Sequence, residues 1–374
     1  MRIGSRLCRA TSLTLVVIAA SLPVLSKGAS AKADNIQDGQ WYRAFLDLDA
    51  AHRVSKGEGV SVAIIDTGVD ATHPAVKGRV AKGADFSAGG QSSTGNGWID
   101  RNGHGTQMAG LVVGFGRVQG VAPAATVIPV NASVTSSALG TARLAEGIRW
   151  AVGQHVKVIS ISSGGDDDLR LRQAVELAIA NDIVIVAAAG NAGEDAAVTY
   201  PAAYRGVISA CGVDRMGAHS TISIIGPELT LCAPSNGISS AYPGGRYVVG
   251  SGTSEATALI AGAAALIRSK FPTLTATQVM ERLYATAIDR GAAGKDDVYG
   301  YGVIDVVRAL TADLPPSAPA SSPSFLPTSS PDARVYESSQ DTKPWLIVLG
   351  SILCLVLLAV GSALAVAATR SSKN

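Results

Sequence analysis

The chain has 374 residues, enough for a full-sized core, with 47% apolar and only 16% charged residues and a formal net charge of +2. So neutral a balance gives no support to a nucleic-acid partner, which needs a basic surface. The charged fraction is below the usual quarter of a soluble domain, and part of the shortfall lies at the two ends of the chain.

At the N-terminus, Arg2, Arg6 and Arg9 precede the apolar run SLTLVVIAASLPVL, and ASAKAD follows with small residues at A-x-A spacing. This is the layout of an export signal, expected over residues 1–33 with cleavage after Ala31 or Ala33. An uncleaved anchor is the alternative, but its apolar core falls short of the roughly 18 residues a span requires. A lead-in occupies residues 34–55, and its tryptophan and leucines suit burial against whatever follows.

Residues 56–312 form the folded body. GVSVAIIDTG, ATVIPVNA, VKVISISSGG and DIVIVAAAGN are short apolar runs rich in β-branched residues, each ending at a glycine or polar residue. They lack strict alternation, as strands covered on both faces do. TARLAEGIRWAVGQH and LRLRQAVELAIAN read as helices between them. Strands alternating with helices predict an open, doubly wound α/β domain with a mostly parallel sheet, whose ligands gather beyond the carboxyl ends of the strands.

The Pro- and Ser-rich residues 313–344 cannot bury enough surface to fold and read as an extended tether. Residues 345–368, WLIVLGSILCLVLLAVGSALAVAA, contain no charge and are long enough to cross the roughly 30 Å of a bilayer core as a single transmembrane helix. Arg370 and Lys373 then place residues 369–374 in the cytoplasm and the body outside the cell membrane. Cys8 and Cys354 fall in the two apolar end segments, leaving Cys211 and Cys232 in the body. Outside the cell these can form a disulfide or remain two buried thiols.

Three elements at the ends of these runs carry chemistry. Asp66 ends the first strand and is either a turn residue satisfying backbone donors or the holder of a catalytic partner. His104 lies between Gly103 and Gly105 at the start of an apolar helix, where glycine permits close approach and unusual dihedrals; alone, it reads as a structural histidine. His52, His73, His155 and His219 have no comparable setting. Ser254 begins the run EATALIAGAAALIRSK, where free N–H groups favour a negative oxygen; alone, it reads as a helix N-cap. Together the three supply what a serine nucleophile needs, an imidazole to take its proton and a carboxylate to fix that imidazole.

Their order, Asp then His then Ser, and the motifs DTG, NGHGT, AAAGN and SGTS identify residues 56–312 as resembling the subtilisin-like serine endopeptidases. The resemblance implies that Asn191 donates to the oxyanion beside the Ser254 N–H. It also implies that Ser162, Ser163 and Gly164 pair with a polypeptide substrate, and that Ala188, Ala189, Gly190 and Thr199 line the first specificity pocket. Ser163 stands where leucine is usual in that family, making the pocket wall more polar. The whole layout resembles the actinobacterial mycosins, membrane-anchored proteases associated with type VII secretion, whose components are then implied partners; a docking role in such a complex is the alternative function. The lead-in is too short to resemble the folded inhibitory pro-domain of secreted subtilisins.

Two departures from the family are visible. Ala258 stands where proline is common, and Glu255 follows the nucleophile where a small or apolar residue is usual. As an acid at the start of a helix, after a capping serine, Glu255 is expected to face solvent and complement the dipole; the alternative is a buried carboxyl, raised in pKa by desolvation and repelled by a developing oxyanion. Acidic residues also flank the site, Asp166 to Asp168 and Glu194 with Asp195. They read either as helix-start acids or as a preference for basic residues near the cut. No cofactor is expected, no metal-ligand cluster has convincing spacing, and calcium binding is not legible.

Overall fold

The computed structural model describes residues 33–314 except 89–92, 94 and 134–139. The expected export signal, the apolar 345–368 segment, the cytoplasmic tail and nearly all of the tether lie outside the described residues. Among the described residues no helix is long and apolar enough to cross a membrane.

The lead-in forms three short helices, α1 (Ala33–Asp38), α2 (Tyr42–Phe45) and α3 (Leu48–Val54). The body follows as β1 (Ser61–Asp66), β2 (Ala84–Asp85), α4 (His104–Val113), β3 (Thr126–Asn131), α5 (Thr141–Gly153) and β4 (Val158–Ile161). Next come α6 (Leu169–Ala180), β5 (Val184–Ala188), β6 (Val207–Val213) and β7 (Leu231–Pro234). The hairpin β8 (Ile238–Tyr242) and β9 (Arg246–Gly250) leads into α7 (Thr253–Lys270), followed by α8 (Ala276–Thr286) and α9 (Val306–Thr311).

Seven strands make one sheet in the order β2-β3-β1-β4-β5-β6-β7, and every pairing in it is parallel. A parallel sheet must be covered on both faces, and successive residues show how. Val62 and Ile64 of β1, with Val184 and Val186 of β5, join the core under α4, α7, α8 and α9. Ala63 and Ile65, with Ile185 and Ala187, join the opposite core under α5 and α6. Each fully buried valine or isoleucine among them contributes on the order of 1.5–3 kcal/mol, which is why the runs are apolar without alternation.

Helix α7 occupies the centre of one layer and is buried along nearly its whole length, because its alanines let the sheet and α4 approach closely. The lead-in is part of this core. Tyr42, Leu46, Leu48 and Ala51 are buried in it, and the Tyr42 hydroxyl donates to the Gln119 carbonyl at 2.6 Å.

Cys211 and Cys232 lie opposite each other in register on β6 and β7 and are joined by a disulfide with Cα atoms 4.3 Å apart. Closing a segment of 21 residues removes denatured-state freedom worth about 3 kcal/mol. Replacing both by alanine is therefore expected to lower Tm by roughly 5–10 °C. Calorimetry of the full-length protein checks this, and an unchanged Tm would deny the bridge a stabilising role.

Candidate active site

Beyond the carboxyl ends of β1, β4 and β5 lies a cleft of about 400 Å³ lined by Asp66, His104, Ser162, Ser254 and Asn191, among others. Asp66 is the last residue of β1, 1% exposed. Its Oδ1 accepts from the Thr67 N–H at 2.8 Å, so the turn reading is satisfied. Both its oxygens also face the imidazole of His104, with Nδ1 at 2.8 Å from Oδ1 and 2.9 Å from Oδ2. The turn bond and the contact with the imidazole therefore coexist on one carboxylate.

The glycines on either side of His104 have separate reasons. Gly103 has φ 101°, and a Cβ there would lie 2.2 Å from the Tyr242 ring. A Cβ on Gly105 would lie 2.0 Å from the Gly68 carbonyl oxygen, so only glycine brings α4 close enough to β1 for His104 to reach Asp66. The start of α4 is held by Asp100, which the sequence reading did not single out. Its carboxylate accepts from the N–H groups of Asn102, Gly103 and Thr106 and from the hydroxyls of Thr67 and Thr106. The signal was present: an acid two residues before NG is a common turn device.

Ser254 is the second residue of α7. The N-cap is Gly252, with no side-chain cap bond, so Ser254 is no capping residue. Its Oγ donates to the Ser162 carbonyl at 3.3 Å, and Ser162 Oγ donates back to the Ser254 carbonyl at 3.2 Å. Its N–H lies in the first turn, where no preceding carbonyl is in reach. Asn191 follows β5, and its Oδ1 accepts from the Thr253 N–H at 3.1 Å. That donor fixes the amide orientation and leaves Nδ2 as the group available to the cleft, 3.3 Å from Glu194 Oε2.

Ser162, Ser163, Gly164, Ala188, Gly190 and Thr199 all line the cleft. Ala189 does not. It is fully buried and packs with Ala187 in the core under α5 and α6, because side chains beside a strand end alternate between faces. Thr199 stands against Gly164, whose Cβ would lie 1.9 Å from the threonine hydroxyl. Of the acids, Asp168 caps α6 through the N–H groups of Arg170 and Leu171, and Asp167 pairs with Arg172. Those follow the helix-start reading. Glu194 and Asp195 line the cleft instead, Asp195 accepting from the Asn191 N–H at 2.8 Å.

Glu255 departs from expectation. It is 3% exposed, facing inward beneath Ser254, and its Oε1 accepts from Gln107 Nε2 at 2.7 Å. The expectation of a solvent-facing acid assumed a capping serine; with Gly252 as the cap, the residue after Ser254 turns inward. Burial pushes its carboxyl up to about 7, against the opposing pull of the His104 charge and the Gln107 hydrogen bond. For His104, burial disfavours the charged ring, but Asp66, by charge and hydrogen bond, outweighs it. With Glu255 and Asp100 adding to Asp66, the imidazole is raised to about 9. Among the described residues no group of three or more His, Cys, Asp or Glu is placed to hold a metal ion.

The subtilase family signature matches residues 57–302. Subtilisin DY of Bacillus licheniformis is 41% identical over 262 residues, covering 68% of this chain and 92% of that protein. The structure of MycP1, described as a serine protease and an essential component of the type VII (ESX-1) secretion system, superposes with a TM-score of 0.66 at 31% identity, over 74% of this chain and 89% of that one. MycP3 protease from the type VII (ESX-3) system gives 0.63 at 32%, over 73% and 88%.

Proposed function

The chain belongs to the subtilase family and is a serine endopeptidase acting on polypeptides, and from that premise we propose that Ser254, His104 and Asp66 are its catalytic triad, with Asn191 as oxyanion donor. The observation that carries this reading is the imidazole Nδ1 held within 2.9 Å of both Asp66 oxygens, in the same cleft as Ser254. Asp66 keeps the Nδ1 proton in place, so Nε2 is the nitrogen free to accept.

With substrate bound, the Ser254 hydroxyl turns from the Ser162 carbonyl to His104 and attacks the scissile carbonyl while Nε2 takes its proton. The oxyanion accepts from Asn191 Nδ2 and the Ser254 N–H. His104 then protonates the leaving amine, and water, activated by the same imidazole, releases the acyl group. An extended peptide pairs along Ser162 to Gly164 by main-chain hydrogen bonds. Glu194 and Asp195, which line the same cleft as Thr199, favour a basic residue near the cut.

Incubating the full-length protein with a peptide library, with Ser254→Ala as control, tests the reading by mass spectrometry of the products. Cleavage by the control at a rate comparable to the parent would refute it. Asn191→Ala is expected to lower kcat about 100- to 1,000-fold with KM little changed, the size known for this kind of donor in subtilisin. Steady-state kinetics on one good library peptide checks the split.

The chain reads as a protease tethered outside the cell membrane by residues 345–368. The likeness to MycP1 favours a second reading of its physiological role, as a docking subunit of a type VII secretion complex in which proteolysis is incidental. A Ser254→Ala chain that restores secretion to a deletion strain would favour docking; one that fails to restore it, though stably expressed, would favour catalysis.

A further inference from the structure

The carboxyl of Glu255 is a buried titratable group for which the peptidase steps have no use. It lies on α7 one residue beyond Ser254, and its partner Gln107 lies on α4, one turn beyond His104. The 2.7 Å bond from Gln107 Nε2 to Glu255 Oε1 therefore joins the helix bearing the base to the helix bearing the nucleophile. The space around the bond is closed: a Cβ on Gly250 would lie 2.1 Å from Gln107 Nε2 and 2.2 Å from Glu255 Oε1. One on Gly252 would lie 3.3 Å from Glu255 Oε2 and 3.4 Å from Asn191 Oδ1. The carboxyl is thus wedged beneath the turn that presents Ser254, beside the oxyanion amide.

We propose that Glu255 is a positioning residue for the general base: through Gln107 it fixes the spacing of α4 and α7, and its buried carboxylate is a second counter-charge for the His104 imidazolium. This rests on the triad reading above and adds to it a residue that sets the pH range in which the base is free.

Three carboxylates act on His104: Asp66 from β1, Asp100 from the loop before α4, and Glu255 from α7. Glu194 and Asp195 line the same cleft. Asp66 is needed for orientation and Asp100 for the start of α4, so Glu255 is the one whose charge can be removed with its shape kept. With Glu255 near 7 and His104 near 9, the pair near pH 8 is carboxylate and imidazolium. The ring then holds its proton and cannot accept another from Ser254. Turnover rises as pH passes through the His104 midpoint, so removing the Glu255 charge moves that rise to lower pH.

In Glu255→Gln the amide oxygen still accepts from Gln107 while the charge is gone. In full-length protein carrying Ser254→Ala to prevent self-cleavage, the His104 ring is titrated by NMR with 13C-labelled histidine, using a His104→Gln spectrum for assignment. Glu255→Gln is expected to lower the His104 midpoint by about one pH unit or more, and the same shift is expected in kcat/KM against pH with Ser254 intact. An unchanged NMR midpoint overturns the electrostatic half of the proposal. Because it is read without turnover, that failure is distinct from a failure of the triad reading, which would show as activity surviving Ser254→Ala. Gln107→Leu breaks the link itself and is expected to lower kcat at pH 10 about tenfold or more with KM within twofold. A kcat equal to that of the parent overturns the positioning half.

Discussion

Ser254→Ala is expected to lower kcat on the order of 10⁶-fold, as loss of the nucleophile does in subtilisin. The reason is geometric as well as chemical. Ser254 sits at the second position of α7 with a side chain that caps nothing, so its hydroxyl has no folding task that alanine would fail to perform. The hydrogen bond to the Ser162 carbonyl at 3.3 Å is lost, but that carbonyl borders an open cleft and can be hydrated. Stability should change by less than about 1 kcal/mol, and KM should stay near the parent value because the pairing strand and pocket are untouched. A residual rate above that of water is expected to remain, since the proposed oxyanion donors, Asn191 and the first-turn N–H groups, are unchanged. Kinetics on one peptide, with thermal melts of both proteins, checks these expectations.

Asp66→Asn is expected to lower the plateau kcat, reached where the parent imidazole is free, about 10⁴-fold, again with little change in KM. Asp66 accepts at both oxygens, from the Thr67 N–H and from His104 Nδ1. An asparagine keeps its carbonyl oxygen toward Thr67 and turns its amide toward the imidazole. The ring then accepts at Nδ1 and carries its proton on Nε2, where it faces Ser254 as a donor instead of an acceptor. Loss of the Asp66 charge also lowers the His104 midpoint. The variant is therefore slow on its plateau even though its histidine is uncharged there, a combination that separates a tautomer fault from simple protonation. A rate profile from pH 6 to 10 shows it: a low plateau reached at lower pH than in the parent.

The doubly wound body was legible because each of its central strands is buried on both faces, and such strands announce themselves as unbroken β-branched runs ending where polar residues begin. That Asp66, His104, Asn191 and Ser254 line one cleft follows from a related signal: each sits at the end of such a run or the start of an apolar helix, beside glycines. Ala189 was misplaced because a motif read as a string has no sides, whereas alternation at the end of β5 sends it into the core. For Glu255 the buried alternative displaced the favoured solvent-facing one, because its direction depends on which residue caps α7, and with the cap at Gly252 the acid turns inward. Asp100 and Gln107 went unremarked since their partners, Thr67, Thr106 and Glu255, lie on other segments and only the packing of α4 against β1 and α7 brings them together. The lead-in illustrates the same limit: its tryptophan and leucines indicated burial, but its contribution of Tyr42 and Leu48 to the core under α7 is a property of the assembled fold.

The central claim is that the hydroxyl of Ser254 is made nucleophilic by the His104–Asp66 pair. A fluorophosphonate probe reports this directly, because it phosphonylates only an activated serine. Treating the full-length protein at pH 9 and mapping the adduct by mass spectrometry should place it on Ser254, with labelling abolished in His104→Ala. A correctly folded protein that remains unlabelled at Ser254, or one labelled equally well without His104, would contradict the account.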